Sequence, residues 1–259
     1  MTYVPYHKKD TITMLAGPCS IEGPEQLDTV ASALKGEGLT WIRGGAFKPR
    51  SSPYSFQGMG VEGLRIMAEV GARYGLGTLT EVVDTAHVDL VSSYVDALQI
   101  GTRNMANFEL LKRIGSATAV NHKPILFKRG MAATIDEWLS AAEYLTADGN
   151  PNVMLCERGL RTFETATRFT LDISAVPVIH KRSLLPVCVD VSHPAGQVDL
   201  VPALAKAAVA AGCDSLMIEV HPDPPHAKSD ASQQLTVEDF KALLADLRTV
   251  AAAVGKTIV

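Results

Sequence analysis

Short apolar runs alternate with longer amphipathic segments from one end of the chain to the other. The runs that read as buried strands are Ile12–Gly17, Leu39–Arg43, Gly77–Glu81, Ala97–Gly101, Pro124–Lys128, Asn152–Glu157, Leu185–Asp190 and Ser215–Val220. They are mostly apolar, as strands of a parallel sheet covered on both faces are. Between them, amphipathic segments predict helices over Pro24–Lys35, Val61–Tyr74, Thr85–Ser93, Ala106–Ile114, Thr134–Leu145, Thr162–Leu171, Leu200–Ala211 and Val237–Val254; in Val61–Tyr74 and Thr85–Ser93 the apolar residues fall three and four apart. Two of the helices carry start signals. Pro24 suits a first turn, and Thr134 with Glu137 three residues on is a capping box. Eight strand-then-helix units with short connections predict an α/β fold, a single-domain (β/α)8 TIM barrel. An open doubly wound sheet is the alternative, because a strand count does not show closure. No Pro/Gly/Ser-rich linker, composition break or low-complexity segment interrupts the pattern. The expectation is one barrel over residues 1–259, with a short N-terminal segment 1–11 and no regulatory domain.

Composition narrows the function classes. With 47% hydrophobic residues in 259, disorder is excluded. A formal net charge of −4 argues against a nucleic-acid binder that relies on a broad basic field. No apolar run approaches the ~18 residues of a membrane span, and the first ten residues, MTYVPYHKKD, lack the apolar core of a signal peptide. The four cysteines, Cys19, Cys156, Cys188 and Cys213, form no CxxC pair and read as reduced thiols. A cytoplasmic protein is expected.

The strands are apolar but their C-terminal ends are not. The first runs into Cys19 and Ser20, the second into Arg43 and the loop RGGAFKPRSSPYSFQG, the third into Glu81, and the fourth into Thr102 and Arg103. The fifth ends in Lys128 and Arg129, the sixth in Glu157 and Arg158, the seventh in Asp190, Ser192 and His193, and the eighth in Glu219 and His221. In a barrel these ends converge on one mouth. Arg43, Lys48, Arg50, Arg103, Lys128 and Arg158 concentrate positive charge there in a net acidic chain, which suits a substrate with more than one phosphate or carboxylate. Cys19, His193, Glu219 and a downstream Asp make a mixed sulfur, nitrogen and oxygen set that suits a divalent transition metal; a packed thiol and imidazole are the alternative. Lys128 at a strand end also fits a Schiff-base aldolase.

Seven motifs, AGPCSIE, RGGAFKPRSSPYSFQG, GTRNM, LFKRG, LCERG, DVSHPAG and EVHPDP, follow one another in order. Together they resemble the 3-deoxy-D-arabino-heptulosonate 7-phosphate (DAHP) synthases of the compact microbial type I beta class, over nearly the whole chain. The resemblance implies a (β/α)8 barrel. It also implies condensation of phosphoenolpyruvate with erythrose 4-phosphate and release of phosphate, the first step toward the aromatic amino acids. It implies Cys19, His193, Glu219 and Asp230 as ligands of a divalent metal (Mn²⁺, with Fe²⁺, Co²⁺ or Zn²⁺ compatible), Asp223 being a nearby alternative ligand. It implies Arg43, Lys48, Arg103, Lys128 and Arg158 for phosphoenolpyruvate, with Glu81 and Thr102 beside them, and Arg50 and Ser51 for the phosphate of the aldehyde. Lys48, Lys128, His193 and Cys19 are the implied catalytic groups. Relatives are usually homo-oligomers, tetramers or dimers; no nucleic acid and no membrane is implied. Four positions depart from the family pattern: Ser51 for Thr, Thr102 for Ala, Val191 for Pro and Ala231 for Gly.

Two further readings stay beside this one. A non-catalytic anion-binding barrel would carry the same cations. A 3-deoxy-D-manno-octulosonate 8-phosphate synthase would use arabinose 5-phosphate. Those enzymes have Lys-Ala-Asn-Arg-Ser where this chain has Lys48-Pro49-Arg50-Ser51, and Pro49 offers no donor to a sugar hydroxyl.

Overall fold

A computed structural model describes residues 10–49 and 52–259. Eight parallel strands, β1 (Thr11–Gly17), β2 (Trp41–Arg43), β3 (Gly77–Glu81), β4 (Ala97–Ile100), β5 (Ile125–Lys128), β6 (Val153–Glu157), β7 (Val187–Asp190) and β8 (Ser215–Glu219), pair in sequence order. β8 returns to β1 and β1 pairs with β2 through Ala16 and Ile42, so the sheet is closed and the open-sheet alternative falls. A two-residue strand, β9 (Thr257–Ile258), adds to β1 beside Thr11 and Ile12, at the end opposite the mouth.

The pleat sorts the side chains into two cores. Leu15, Trp41, Leu79, Ala97, Leu126, Met154, Cys156, Cys188 and Met217 point inward and fill the barrel. Their neighbours Ala16, Ile42, Leu98, Phe127, Leu155, Val189 and Ile218 point outward and pack beneath the helices.

Helices α1 (Pro24–Gly36), α2 (Val61–Tyr74), α3 (Val88–Tyr94), α4 (Phe108–Thr118) and α5 (Ile135–Thr146) follow the first five strands. α5 has both bonds of its capping box, through Thr134 and Glu137. The expected Thr85–Ser93 helix opens as a 3₁₀ turn, Thr85–His87, capped by Asp84. The expected Ala106–Ile114 helix starts later, because the Asn107 side chain accepts from Leu110 N–H and sets the N-terminus there.

The expected helix Thr162–Leu171 does not form. Leu160 and Thr170 exchange backbone hydrogen bonds of 2.8 and 2.9 Å, and the hydroxyls of Thr162 and Thr170 meet at 2.6 Å, so the segment folds back as a loop. Four threonines favour the extended backbone over the helix. The helix after β6 is α6 (Ala175–Arg182), with Pro177 in its first turn. The chain continues through α7 (Ser192–Ala195), α8 (Val201–Ala210) and α9 (Val237–Ala253).

Candidate active site

The same alternation that fills the barrel aims the site. Arg43, Glu81, Lys128, Asp190 and Glu219 end their strands in the inward phase, two residues after an interior apolar position; Gln99, one residue before the end of β4, shares that phase, and Arg158 follows in phase after Cys156. Their chain neighbours fall out of phase. Arg129 and Glu157 face outward and pair with each other at 2.9 Å, Arg129 also reaching Asp172 at 2.8 Å. Lys128-Arg129 and Glu157-Arg158 look equivalent in the sequence, but the pleat gives each pair one cavity residue and one structural residue.

A cavity of about 290 Å³ opens at this end, lined among others by Arg43, Lys48, Arg103, Lys128, Arg158 and Glu81. Arg158 is 4% exposed, and its Nε and Nη1 have no acceptor among the described residues. A buried guanidinium with open donors is matched to an anionic ligand. Arg43 is also buried; one nitrogen donates to the Pro18 carbonyl at 2.8 Å and to Glu219 at 3.0 Å. Lys48 folds back so that its ammonium lies 3.1 Å from Cys19 Sγ. Glycine at 45 allows this, since a Cβ there would stand 2.6 Å from Lys48 Cδ. Glycine at 17 (φ +147°) is needed too, because a Cβ would stand 2.0 Å from the Arg43 carbonyl oxygen.

Beside the cations lies the donor cluster. Ligand atoms of Cys19, Glu219 and Asp230 all lie within 4.8 Å of one another. His193 stands outside this mutual set but against its carboxylates, with Nε2 3.6 Å from Glu219 and 3.9 Å from Asp230. Its Nδ1 lies 2.6 Å from Asp190 Oδ2, an ion contact that is off-line for a hydrogen bond, and this leaves Nε2 on the side of the cluster. Glu219 is further held by Gln233 at 2.7 Å. One thiol, one imidazole nitrogen and two carboxylates, braced from behind, fit a divalent transition metal. Asp223 lies off the cluster, paired with His226 on the surface. Asp230 itself takes the left-handed conformation (φ +47°) and Ala231 does not, so the missing glycine at 231 costs the loop nothing.

Charges interlock across the site. Burial, and then Glu219, push the Cys19 thiol up to about 12. Burial opposes ionisation of Glu219, Asp190 and Asp230, yet all three are held below the usual carboxylate range, in each case first by His193. Arg43 next holds Glu219, Lys128 holds Asp190 and Arg168 holds Asp230. Burial lowers His193 against the pull of Asp190. Lys48 is raised although burial lowers it, because Cys19, Glu219 and Glu81 outweigh burial.

Of the residues expected at the site, Arg43, Lys48, Glu81, Thr102, Arg103, Lys128 and Arg158 line the cavity, and Cys19, His193, Glu219 and Asp230 converge beside it. Arg50 and Ser51 lie outside the described residues. Gln99, Arg168, Phe169 and Gln233 were not foreseen. Arg168 lines the cavity and donates to Gln233 at 2.7 Å, and Phe169 stacks on Arg158. Strand phase alone could have pointed to Gln99; nothing local marks the other three.

The sequence model of the DAHP synthetase I family matches residues 6–253. The phospho-2-dehydro-3-deoxyheptonate aldolase of Thermotoga maritima is 46% identical, over 96% of this chain and 77% of the relative. A crystal structure of a Thermotoga maritima DAHP synthase superposes with a TM-score of 0.93 at 46% identity, covering 98% of this chain and 72% of that one. The 2-dehydro-3-deoxyphosphooctonate aldolase of Caulobacter vibrioides is 34% identical, over 92% of this chain and 87% of the relative. By its sequence, its closed barrel and the residues at its mouth, the chain belongs to the DAHP synthetase I family.

Proposed function

We propose that this chain is a DAHP synthase that condenses phosphoenolpyruvate with erythrose 4-phosphate and releases inorganic phosphate. The observation that carries the reading is the placement, at one mouth, of a buried guanidinium with unpartnered donors (Arg158) near the Cys19/Glu219/Asp230 cluster, with His193 against its carboxylates. The greater identity to the heptulosonate relative than to the octulosonate relative supports the four-carbon aldehyde.

In this reading Arg43, Lys48, Arg103, Lys128 and Arg158 hold the carboxylate and phosphate of phosphoenolpyruvate, with Glu81 and Thr102 at the wall. Arg50 and Ser51 hold the phosphate of the aldehyde. Cys19, His193, Glu219 and Asp230 hold a divalent metal, Mn²⁺ or one of Fe²⁺, Co²⁺ and Zn²⁺. When bound, the metal supplies Lewis-acid polarisation of the aldehyde carbonyl. The cations align the enol carbon for attack and screen the charge that the reaction moves. The enol carbon bonds to the aldehyde carbon, and the aldehyde oxygen takes up a proton. Lys48, held protonated beside Cys19 Sγ, is placed to give it. Positive character at C2 is quenched by water, which loses its protons as phosphate departs and the ketone forms. The Schiff-base reading is disfavoured because Lys128 Nζ is engaged by buried Asp190 at 2.6 Å and is not free to attack a carbonyl.

The reading includes a cytoplasmic homo-oligomer. Among the described residues no helix is long and apolar enough to cross a membrane, and Tyr54, Phe163 and Leu184 are almost fully exposed apolar side chains. Light scattering that returns the mass of one chain would remove the oligomer. The deciding assay is phosphate release with phosphoenolpyruvate and a panel of aldose phosphates, with and without chelator. Turnover only with erythrose 4-phosphate and metal is expected; ligand binding without turnover would leave an anion-binding barrel.

A further inference from the structure

Asp190 ends β7 with no exposed surface, and the function proposed above gives it no part. Its Oδ2 lies 2.6 Å from Lys128 Nζ and 2.6 Å from His193 Nδ1, while Oδ1 accepts the His193 backbone N–H at 3.2 Å. One carboxylate oxygen therefore meets both a cation of the anion cavity, by a hydrogen bond, and the imidazole of the donor cluster, by an ion contact off-line for a hydrogen bond. Resting on the assignments proposed above, we infer that Asp190 is a positioning residue that couples the two halves of the site, so that an anion at Lys128 and a metal at His193 tighten each other.

The physical argument is competition for one oxygen. An anion in the cavity takes a share of the Lys128 ammonium, and more of the Asp190 charge is left to the His193 Nδ1–H. A carboxylate bonded to the far nitrogen of an imidazole raises the donor strength of the metal-facing nitrogen and fixes the tautomer. The effect also runs in reverse. A metal on Nε2 polarises Nδ1–H, draws Asp190 toward the ring, and frees Lys128 for the anion. Linkage requires the two effects to be equal in size. The neighbouring contacts add to the effect: Arg43 pairs with Glu219 and Lys48 with Cys19 Sγ, so other cavity cations also rest on the donor cluster. Asp190 differs from those cluster residues in being neither a proposed ligand nor a proposed substrate contact, so it isolates the coupling.

The test is Co²⁺ titration of metal-stripped protein by calorimetry, with and without saturating phosphoenolpyruvate, followed also by the Co²⁺ absorption spectrum. In the wild type phosphoenolpyruvate tightens Co²⁺ by ~5-fold or more. Asp190→Asn keeps the side-chain size but loses the charge. It should bind Co²⁺ ~10- to 100-fold more weakly and show a coupling below ~2-fold. If this variant does not fold by circular dichroism, Lys128→Met carries the test. Removing the competitor leaves Asp190 to His193, so Co²⁺ affinity is kept or improved, whereas a merely structural ion pair predicts its loss. Wild-type Co²⁺ binding indifferent to phosphoenolpyruvate, or unchanged coupling in Asp190→Asn, overturns the inference alone. Absence of any Co²⁺ binding by the wild type overturns the donor-cluster reading with it.

Discussion

Arg158, which lines the cavity, holds its guanidinium 4.0 Å from the ring centroid of Phe169, with Nε and Nη1 buried and without an acceptor among the described residues. The ring fixes the plane of the fork without using its donors. Arg158→Lys loses both the stacking and the fork. At about 2–3 kcal/mol for charge-assisted bonds, KM for phosphoenolpyruvate should rise ~30- to 150-fold. Phe169→Leu should raise it only ~2- to 5-fold, at about 0.5–1 kcal/mol for the stacking. Steady-state kinetics in each substrate check both, with KM for erythrose 4-phosphate little changed.

Chelation should abolish activity, and Mn²⁺ or Co²⁺ should restore it. Cys19→Ala should lose metal and activity while keeping the barrel, because the side chain lies two residues beyond β1 and belongs to neither hydrophobic core. Metal at ~100 times its Kd should add about 2.7 kcal/mol to the wild type and little to the variant, read as the shift in calorimetric Tm. Full activity in a sample shown metal-free by elemental analysis would defeat this expectation.

Burial pushes the Cys213 thiol up to about 12 from an ordinary 9.0, against the pull of Lys256. The folded chain therefore keeps a proton that the unfolded chain gives up. The contribution to stability is complete below the unfolded pKa and is lost as pH rises through 9 toward 12. Urea unfolding of metal-stripped protein at about pH 8 and about pH 10.5 should show lower stability at the higher pH. Cys213→Ala should show a smaller loss over the same interval; an equal loss would place the alkaline sensitivity elsewhere.

Erythrose 4-phosphate should be preferred to arabinose 5-phosphate by at least ~100-fold in kcat/KM, about 2.7 kcal/mol. Pro49 lines the cavity between Lys48 and Arg50 and restricts the backbone there. A site built to one distance between aldehyde and phosphate rejects a longer sugar through misplaced contacts. Both aldehydes measured at saturating phosphoenolpyruvate and metal decide it; equal efficiencies would move the chain to the octulosonate branch.

Thr134→Ala should remove the capping box of α5 and cost about 1 kcal/mol. The expected fall in Tm is ~2–4 °C by calorimetry, with kcat unchanged because the cap lies outside the cavity.

Much of the architecture was legible in the chain itself. An apolar run long enough for a strand, followed by a polar residue at its end, is a local signal that needs no partner. Each of the eight strands was found that way, with ends displaced by a residue or two. The capping box at Thr134 is equally local, and the helix Val61–Tyr74 appeared with its expected bounds. The failure at Thr162–Leu171 has the opposite cause. Its spacing admitted a helix, but the backbone bonds between Leu160 and Thr170 and the hydroxyl contact between Thr162 and Thr170 favour the loop.

By itself, then, the sequence determined which residues stand at strand ends, because burial of the strands and exposure of their exits are written residue by residue. Only the tertiary structure decided what those residues do to one another. Closure of the sheet brought Lys128 to Asp190, and Asp230 beside Cys19, across 62 and 211 positions of chain. The pleat separated Arg158 from Glu157 and Lys128 from Arg129. Arg168 and Gln233 meet because two loops that carry no mark of each other turn toward the same point. Pairings of this kind depend on strand order and phase around a closed barrel, and no spacing along the chain encodes them.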